Sequence, residues 1–263
     1  MKEKKAVVAV SFGTSHADTR EATIGAIENA LREAFPGRDV VRAFTSKIVI
    51  EIMKKRDGLN IDGIEEALSR LAALKYTEVT VQPTHLMGGI EYDGLMETVR
   101  RFAPRFERLA AGDPLLASPR DMALVADAAA GDVAAYDDGN TAIALMGHGS
   151  DHAANAVYEQ LEAVFRERGH ANFFIGTVEA KPDVCDVIAA VKNGGFKKAL
   201  LQPLMVVAGD HAKNDMAGDG GDSWKSMFEK SGIETKCILR GLGSIGAVQD
   251  IYVSHAKNAR PII

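Results

Sequence analysis

Short β-branched apolar runs alternate with longer helical patterns along nearly all of the 263-residue chain, and this alternation constrains the fold more than any other feature. Lys5 to Phe12, Asp39 to Phe44, Glu78 to Gln82, Thr141 to Met146, Phe173 to Val178, Ala199 to Val207 and Thr235 to Leu239 read as strands, with Leu115-Leu116 as a further short one. Between them apolar residues recur at helical spacing: Ile24, Ile27 and Leu31 share one face, as do Ile64, Leu68 and Leu71. Other helices are expected from Lys47 to Lys55, from Tyr92 to about Leu109, from Pro119 to about Ala130, and over Ala153 to Arg168, Asp183 to Val191, Asp222 to Lys230 and Ser244 to Lys257. Strands and helices alternating at these lengths build an α/β fold of parallel sheets flanked by helices.

Asp132 to Asn140 is polar and rich in turn formers, after which the alternation begins again. Two similar lobes are therefore expected, residues 1–136 and 137–263. Their strand ends repeat one another. Ser11-Phe12-Gly13-Thr14-Ser15 follows the first strand of one lobe and Met146-Gly147-His148-Gly149-Ser150 that of the other, while Gln82-Pro83 and Gln202-Pro203 recur later in the same order. A duplicated βα unit predicts a binding cleft between the lobes, with a metal site on the C-terminal one.

A composition of 46% hydrophobic and 25% charged residues supplies ample core, and a net charge of −5 argues against nucleic acid as a partner. Cys185 and Cys237 match no zinc or disulfide spacing and read as reduced, buried thiols. The apolar run Ala6 to Phe12 is short for a signal peptide and leads into no cleavage pattern. Nor does any run approach the roughly 18 apolar residues of a membrane span, so a cytoplasmic chain without a membrane partner is expected.

The most informative stretch is Gln202 to Asp222, where an apolar run gives way at Gly209 to Asp210, His211, Lys213, Asn214 and Asp215. Open parallel sheets place ligands at the carboxyl ends of their strands. His16, His85, His148, His152 and His211 all fall in or beside loops that follow strands, whereas His170 and His255 do not. His148, Glu179 and His211 follow three strands of one expected sheet and should reach one edge. Two imidazoles and a carboxylate can hold a divalent transition ion and leave positions open for exchange. Spacing alone equally allows Glu179 to cap the helix after Pro182 and the histidines to bond backbone.

Three other motifs fail on context. Gly241-Leu242-Gly243-Ser244-Ile245-Gly246 follows a strand, yet the chain ends before a second strand and an acidic ribose partner can appear. Asp215 to Asp222 lacks the glutamate that closes a calcium loop. Ser150 sits outside any G-x-S-x-G elbow, and no Walker loop offers a nucleotide site.

Val10-Ser11-Phe12-Gly13-Thr14-Ser15, Arg42-Ala43-Phe44-Thr45-Ser46, Met146-Gly147-His148-Gly149, Val178-Glu179, the long block Pro203 to Ala217 and Asp222-Ser223-Trp224-Lys225 together resemble the anaerobic cobalt chelatase (CbiK) family of class II chelatases. The resemblance spans nearly the whole chain. It implies a two-lobed, chelatase-like fold related to ferrochelatase, and nucleotide-independent insertion of Co2+ into sirohydrochlorin during anaerobic cobalamin synthesis. Carried over by position, it implies His148, Glu179 and His211 as metal ligands, the two histidines also being catalytic. Glu91, in a loop that begins at His85, is implied as proton acceptor or metal guide. Sirohydrochlorin is a polycarboxylate, so Ser11, Thr14, Ser15, Ser46 and His85 are expected to bind it, with Arg42, Lys47 and Lys213 as weaker candidates. Iron insertion for sirohaem, and a carrier that binds without turnover, stay open as alternatives, as does a homo-oligomer.

Overall fold

The computed structural model describes residues 3–262. In chain order the elements begin with β1 (Lys5–Ser11) and α1 (Ala17–Arg20), which passes through a π-helical turn at Glu21–Gly25 into α2 (Ala26–Ala34). Then come β2 (Asp39–Phe44), α3 (Lys47–Asp57), α4 (Ile64–Ala73), β3 (Glu78–Pro83), α5 (Ile90–Phe102) and β4 (Arg108–Ala111). The alternation continues with α6 (Pro119–Val133), β5 (Thr141–Gly147), α7 (Val157–Glu167), β6 (Phe173–Thr177), α8 (Val184–Asn193), β7 (Lys198–Pro203), α9 (Trp224–Lys230) and β8 (Glu234–Cys237). The chain closes with α10 (Gly246–Lys257) and the two-residue β9 (Arg260–Pro261).

Two compact units result. Ser118–Ala247 forms the second, and the segments on either side of it form the first. The first unit's sheet has the order β2-β1-β3-β4-β9, parallel except for β9; the second unit's is β6-β5-β7-β8, parallel throughout. Without β9 the two orders are the same, as the repeated strand ends predict. The Gln-Pro repeat has a backbone basis. Pro83 pairs with Val10 and Pro203 with Met146, and because proline cannot donate, the next amide closes each ladder: Thr84 N to Val10 O at 2.7 Å, Leu204 N to Met146 O at 2.8 Å.

Each sheet buries its own core. Val8 and Val10 of β1 pack with Leu68, Leu71 and Val99 in the first unit, and Met146 and Leu201 pack with Val187, Trp224 and Phe228 in the second. Ala6 to Val10 is buried without interruption, which a parallel strand covered on both faces requires.

Several expectations are corrected. The division falls at 117/118 and 247/248 rather than at 136/137. Helix α6 belongs with the second unit because Arg168 pairs with Asp127, and Asp132 accepts from Gln202 Nε2 (2.8 Å) and from Arg240. Helix α10 returns to the first unit, where the Tyr252 hydroxyl donates to Thr84 O (3.0 Å) and β9 pairs with β4. The polar stretch after Asp132 is thus only the link from α6 to β5. The fourth strand lies at Arg108–Ala111, not Leu115-Leu116, since a turn at Ala103–Arg105 containing Pro104 stops α5 before Leu109. Strand β7 stops at Pro203, so Leu204 to Val207 is loop. Cys185 is exposed in the first turn of α8 rather than buried. Among the described residues, no helix is long and apolar enough to cross a membrane.

Candidate metal centre

In the second unit, backbone pairing runs past the ends of β5 and β6. Val178 N donates to Gly147 O (3.1 Å) and Glu179 N to His148 O (2.9 Å), which sets His148 and Glu179 beside one another at the carboxyl edge. Gly149 lets the two loops close. Its φ is +89°, and a Cβ there would lie 2.8 Å from Ala180 N and 2.9 Å from Thr177 Cβ.

His211 reaches the same edge from the loop after β7. That loop is fastened by Leu242 N to Met205 O (2.8 Å) and Gly243 N to Val206 O (2.9 Å), and a Cβ on Gly241 would stand only 2.5 Å from Val206 O. The glycine-rich motif therefore allows close approach of two backbone segments. From His211 the chain enters a π-helical turn, Ala212–Met216, closed by Ala217 N to Ala212 O (3.2 Å). Ala212 and Met216 are buried, while His211 and Asp215 stay partly exposed. Such turns recur at functional sites.

One donor atom from each of His148, Glu179 and His211 lies within 4.8 Å of the others. The imidazoles meet edge to face, their centroids 4.7 Å apart at 84°. Nδ1 of His148 faces Gly149 O at 3.0 Å, Nδ1 of His211 faces Asp215 Oδ2 at 2.6 Å, and Glu179 Oε2 stands 3.6 Å from His148 Nδ1, beyond hydrogen-bond reach. Bonds of about 2 Å place two ligands of one ion roughly 3–4 Å apart, so small side-chain rotations bring these donors onto a single ion. The side chains are 34–55% exposed, an arrangement open to exchange.

Apart from Lys213, the other expected residues lie in the first unit, and several of their polar groups are engaged. Ser11 Oγ bonds Thr84 Oγ1 (2.7 Å), Thr14 Oγ1 accepts from His16 N (3.3 Å), and Ser46 Oγ caps α3 by accepting from Val49 N (3.3 Å). Arg42 is clamped on buried Glu28 through bonds of 2.6 and 2.9 Å. Ser15 is partly exposed, and Glu91 is exposed in the first turn of α5. His152 accepts from Ala154 N (3.1 Å) at the start of a short turn, a local structural bond. Sequence reasoning did not single out Phe12, directly after β1, or Ile48 and Ile90, in the first turns of α3 and α5, which are large apolar residues 46%, 74% and 64% exposed. The available signal was an apolar residue in a turn or first helical turn following a strand, where a solvated segment needs none.

His85 is partly exposed as a residue, but both its ring nitrogens are sealed from solvent without a hydrogen-bond partner. Burial lowers its pKa from 6.5 to about 4. The folded chain thus refuses a proton that the unfolded chain accepts. Stability from this source is complete above pH 6.5 and is lost as pH falls toward 4. Urea unfolding at pH 7 and pH 4.5 should show the parent protein losing about 2 kcal/mol more than His85→Leu over that interval.

Two units of parallel strands flanked by helices, with matching strand order, give the chelatase fold, and His148, Glu179 and His211 form a candidate metal site at one strand edge. The SirB structure from Bacillus subtilis with Fe3+ aligns with a TM-score of 0.67 at 14% identity, covering 97% of this chain and 95% of that one. The family model for cobalt chelatase (CbiK) matches residues 5–260, and the chain belongs to that family. It is 40% identical over 257 residues to the sirohydrochlorin cobaltochelatase of Salmonella typhimurium, covering 97% of this chain and 96% of the relative. It is 34% identical to sirohydrochlorin cobaltochelatase CbiKC of Nitratidesulfovibrio vulgaris, covering 97% and 90%.

Proposed function

We propose that this chain inserts Co2+ into sirohydrochlorin without a nucleotide, with His148, Glu179 and His211 holding the incoming ion. The observation that carries the metal assignment is the convergence of their three donor atoms within 4.8 Å. Family membership and the curated relatives' shared activity support the substrate pair.

Insertion requires the ion to shed water and two pyrrole N–H protons to leave the ring. Half-exposed imidazole and carboxylate donors replace part of the water shell without closing the coordination sphere. An imidazole nitrogen cannot carry metal and proton at once. The histidines therefore give up Co2+ as the ring nitrogens lose their two protons, and each imidazole nitrogen freed of metal can take up one of those protons. Chelation by the macrocycle supplies the driving force.

In the first unit, exposed Glu91 serves as proton acceptor or metal guide. Phe12, Ile48 and Ile90 offer apolar contact to the face of the macrocycle. Its carboxylates go to Ser15 and to the backbone amides of Lys47 and Ile48 at the start of α3, which that helix cannot pair internally. Ser11, Thr14 and Ser46 shape these loops through the bonds their hydroxyls already make. His85, with two unmet nitrogens, joins this set if its loop shifts to expose them. We place the reaction in the cytoplasm, on the reading of Cys185 and Cys237 as reduced thiols.

Insertion assays on sirohydrochlorin with Co2+, Fe2+ and Ni2+ test the reading. Accelerated cobalt insertion in the absence of nucleotide is expected. Tight binding of metal and macrocycle with no rate above the spontaneous one would instead make the protein a carrier, and a clear preference for Fe2+ would move it to sirohaem synthesis.

A further inference from the structure

Among the described residues, the side chains whose donors converge at the metal centre are His148, Glu179 and His211; Asp215 is not one of them. Its carboxylate instead faces the His211 ring from one helical turn further on, Oδ2 lying 2.6 Å from Nδ1. An ionised carboxylate only accepts hydrogen bonds, so His211 Nδ1 carries the proton and Nε2 keeps its lone pair. The same logic holds at His148, where the acceptor opposite Nδ1 is the Gly149 carbonyl (3.0 Å). One histidine is thus set by backbone and the other by a side chain, and only the second can be altered by substitution.

The turn is built to hold this pair. Buried Ala212 and Met216 root it in the second unit's core, and a parallel bond four residues apart, Asn214 Nδ2 to Asp210 Oδ1 at 2.9 Å, braces the next position. The bland alternative is a surface pair of the kind that adds a few tenths of a kcal/mol to a helix. Asp215 differs in bonding the one nitrogen of His211 whose protonation decides which other nitrogen is offered to an ion.

We propose that Asp215 is a positioning residue for the metal centre: by accepting from Nδ1–H it fixes the tautomer and ring orientation in which His211 presents Nε2 to Co2+. This rests on the reading of His211 as a metal ligand.

The test uses the full chain and Co2+ alone, titrated calorimetrically, beside insertion kinetics. Asp215→Ala should weaken Co2+ binding about tenfold or more and raise the KM for Co2+ while leaving the KM for sirohydrochlorin unchanged. Asp215→Asn, whose side-chain carbonyl still accepts from Nδ1–H, should recover most of the loss. Asp219→Ala, which removes a neighbouring exposed carboxylate bonded to Lys225, should bind as the parent does. In a His211→Ala background, Asp215→Ala should add nothing. Nitrogen-15 spectra of the parent protein should show His211 protonated at Nδ1. Parent-like Co2+ binding by Asp215→Ala, an additive loss in the His211→Ala background, or an Nε2-protonated His211 in the parent overturns the proposal. If His211→Ala itself binds Co2+ normally, the ligand reading falls first; a large loss there with none in Asp215→Ala sinks the Asp215 role alone.

Discussion

His211→Ala is expected to lower the rate of Co2+ insertion by at least about 100-fold while sirohydrochlorin still binds. Loss of an outer-shell partner typically costs 10–100-fold in metal affinity or activity, and removing a ligand outright belongs at or above the upper end of that range. Among the described residues the proposed site has three protein donors, so two would remain to compete with water for the ion. Folding should survive because the turn is anchored by Ala212 and Met216 rather than by the imidazole, which is one-third exposed. Insertion kinetics, quenching of sirohydrochlorin fluorescence and thermal unfolding together check this. An unchanged rate at saturating and subsaturating Co2+ would remove His211 from the mechanism, whereas a collapsed melting temperature would show that the ring is structural.

The convergence of His148, Glu179 and His211 was legible in the sequence because it follows from strand direction. A parallel sheet sends every strand to the same edge, so His148 and Glu179, directly after β5 and β6, and His211, in the longer loop after β7, are brought to that edge. Hydroxyl commitments were not legible. Nothing near Ser11 in sequence announces Thr84, its partner 73 residues away, and Ser46 reads equally well as a ligand donor or as the cap it proves to be. Unit membership was obscured for a related reason. Local pattern identifies α6 and α10 as helices, but only Asp127–Arg168, Asp132–Gln202 and Tyr252–Thr84 decide which sheet each one joins. The apolar stretch after Pro203 misled because periodicity cannot separate a continuing strand from a loop held by Gly241 and its neighbours.

Gly149→Ala tests whether that edge geometry, rather than the mere presence of ligands, sets the activity. At φ +89° a non-glycine residue costs about 1–2 kcal/mol before any contact is counted. The added carbon would also sit 2.8 Å from Ala180 N and 2.9 Å from Thr177 Cβ, closer than a Cβ approaches other heavy atoms. Both neighbours belong to the segment that carries Glu179, and neither is the far end of a flexible side chain. The β6 loop must therefore withdraw, and the bond from Glu179 N to His148 O, now 2.9 Å, is the first to lengthen. Displacement of a catalytic group by about 1 Å can cost 10²-fold, so Co2+ insertion is expected to fall about 100-fold with every ligand still in the chain. Circular dichroism should report an intact fold with a lowered melting temperature, and calorimetry a weakened Co2+ site. Gly139→Ala, also at positive φ (+72°) but with nothing within 4 Å of the new carbon, carries the backbone strain without the collision. Equal losses of insertion activity in the two variants would assign the effect to general destabilisation and leave the link between His148 and Glu179 without support.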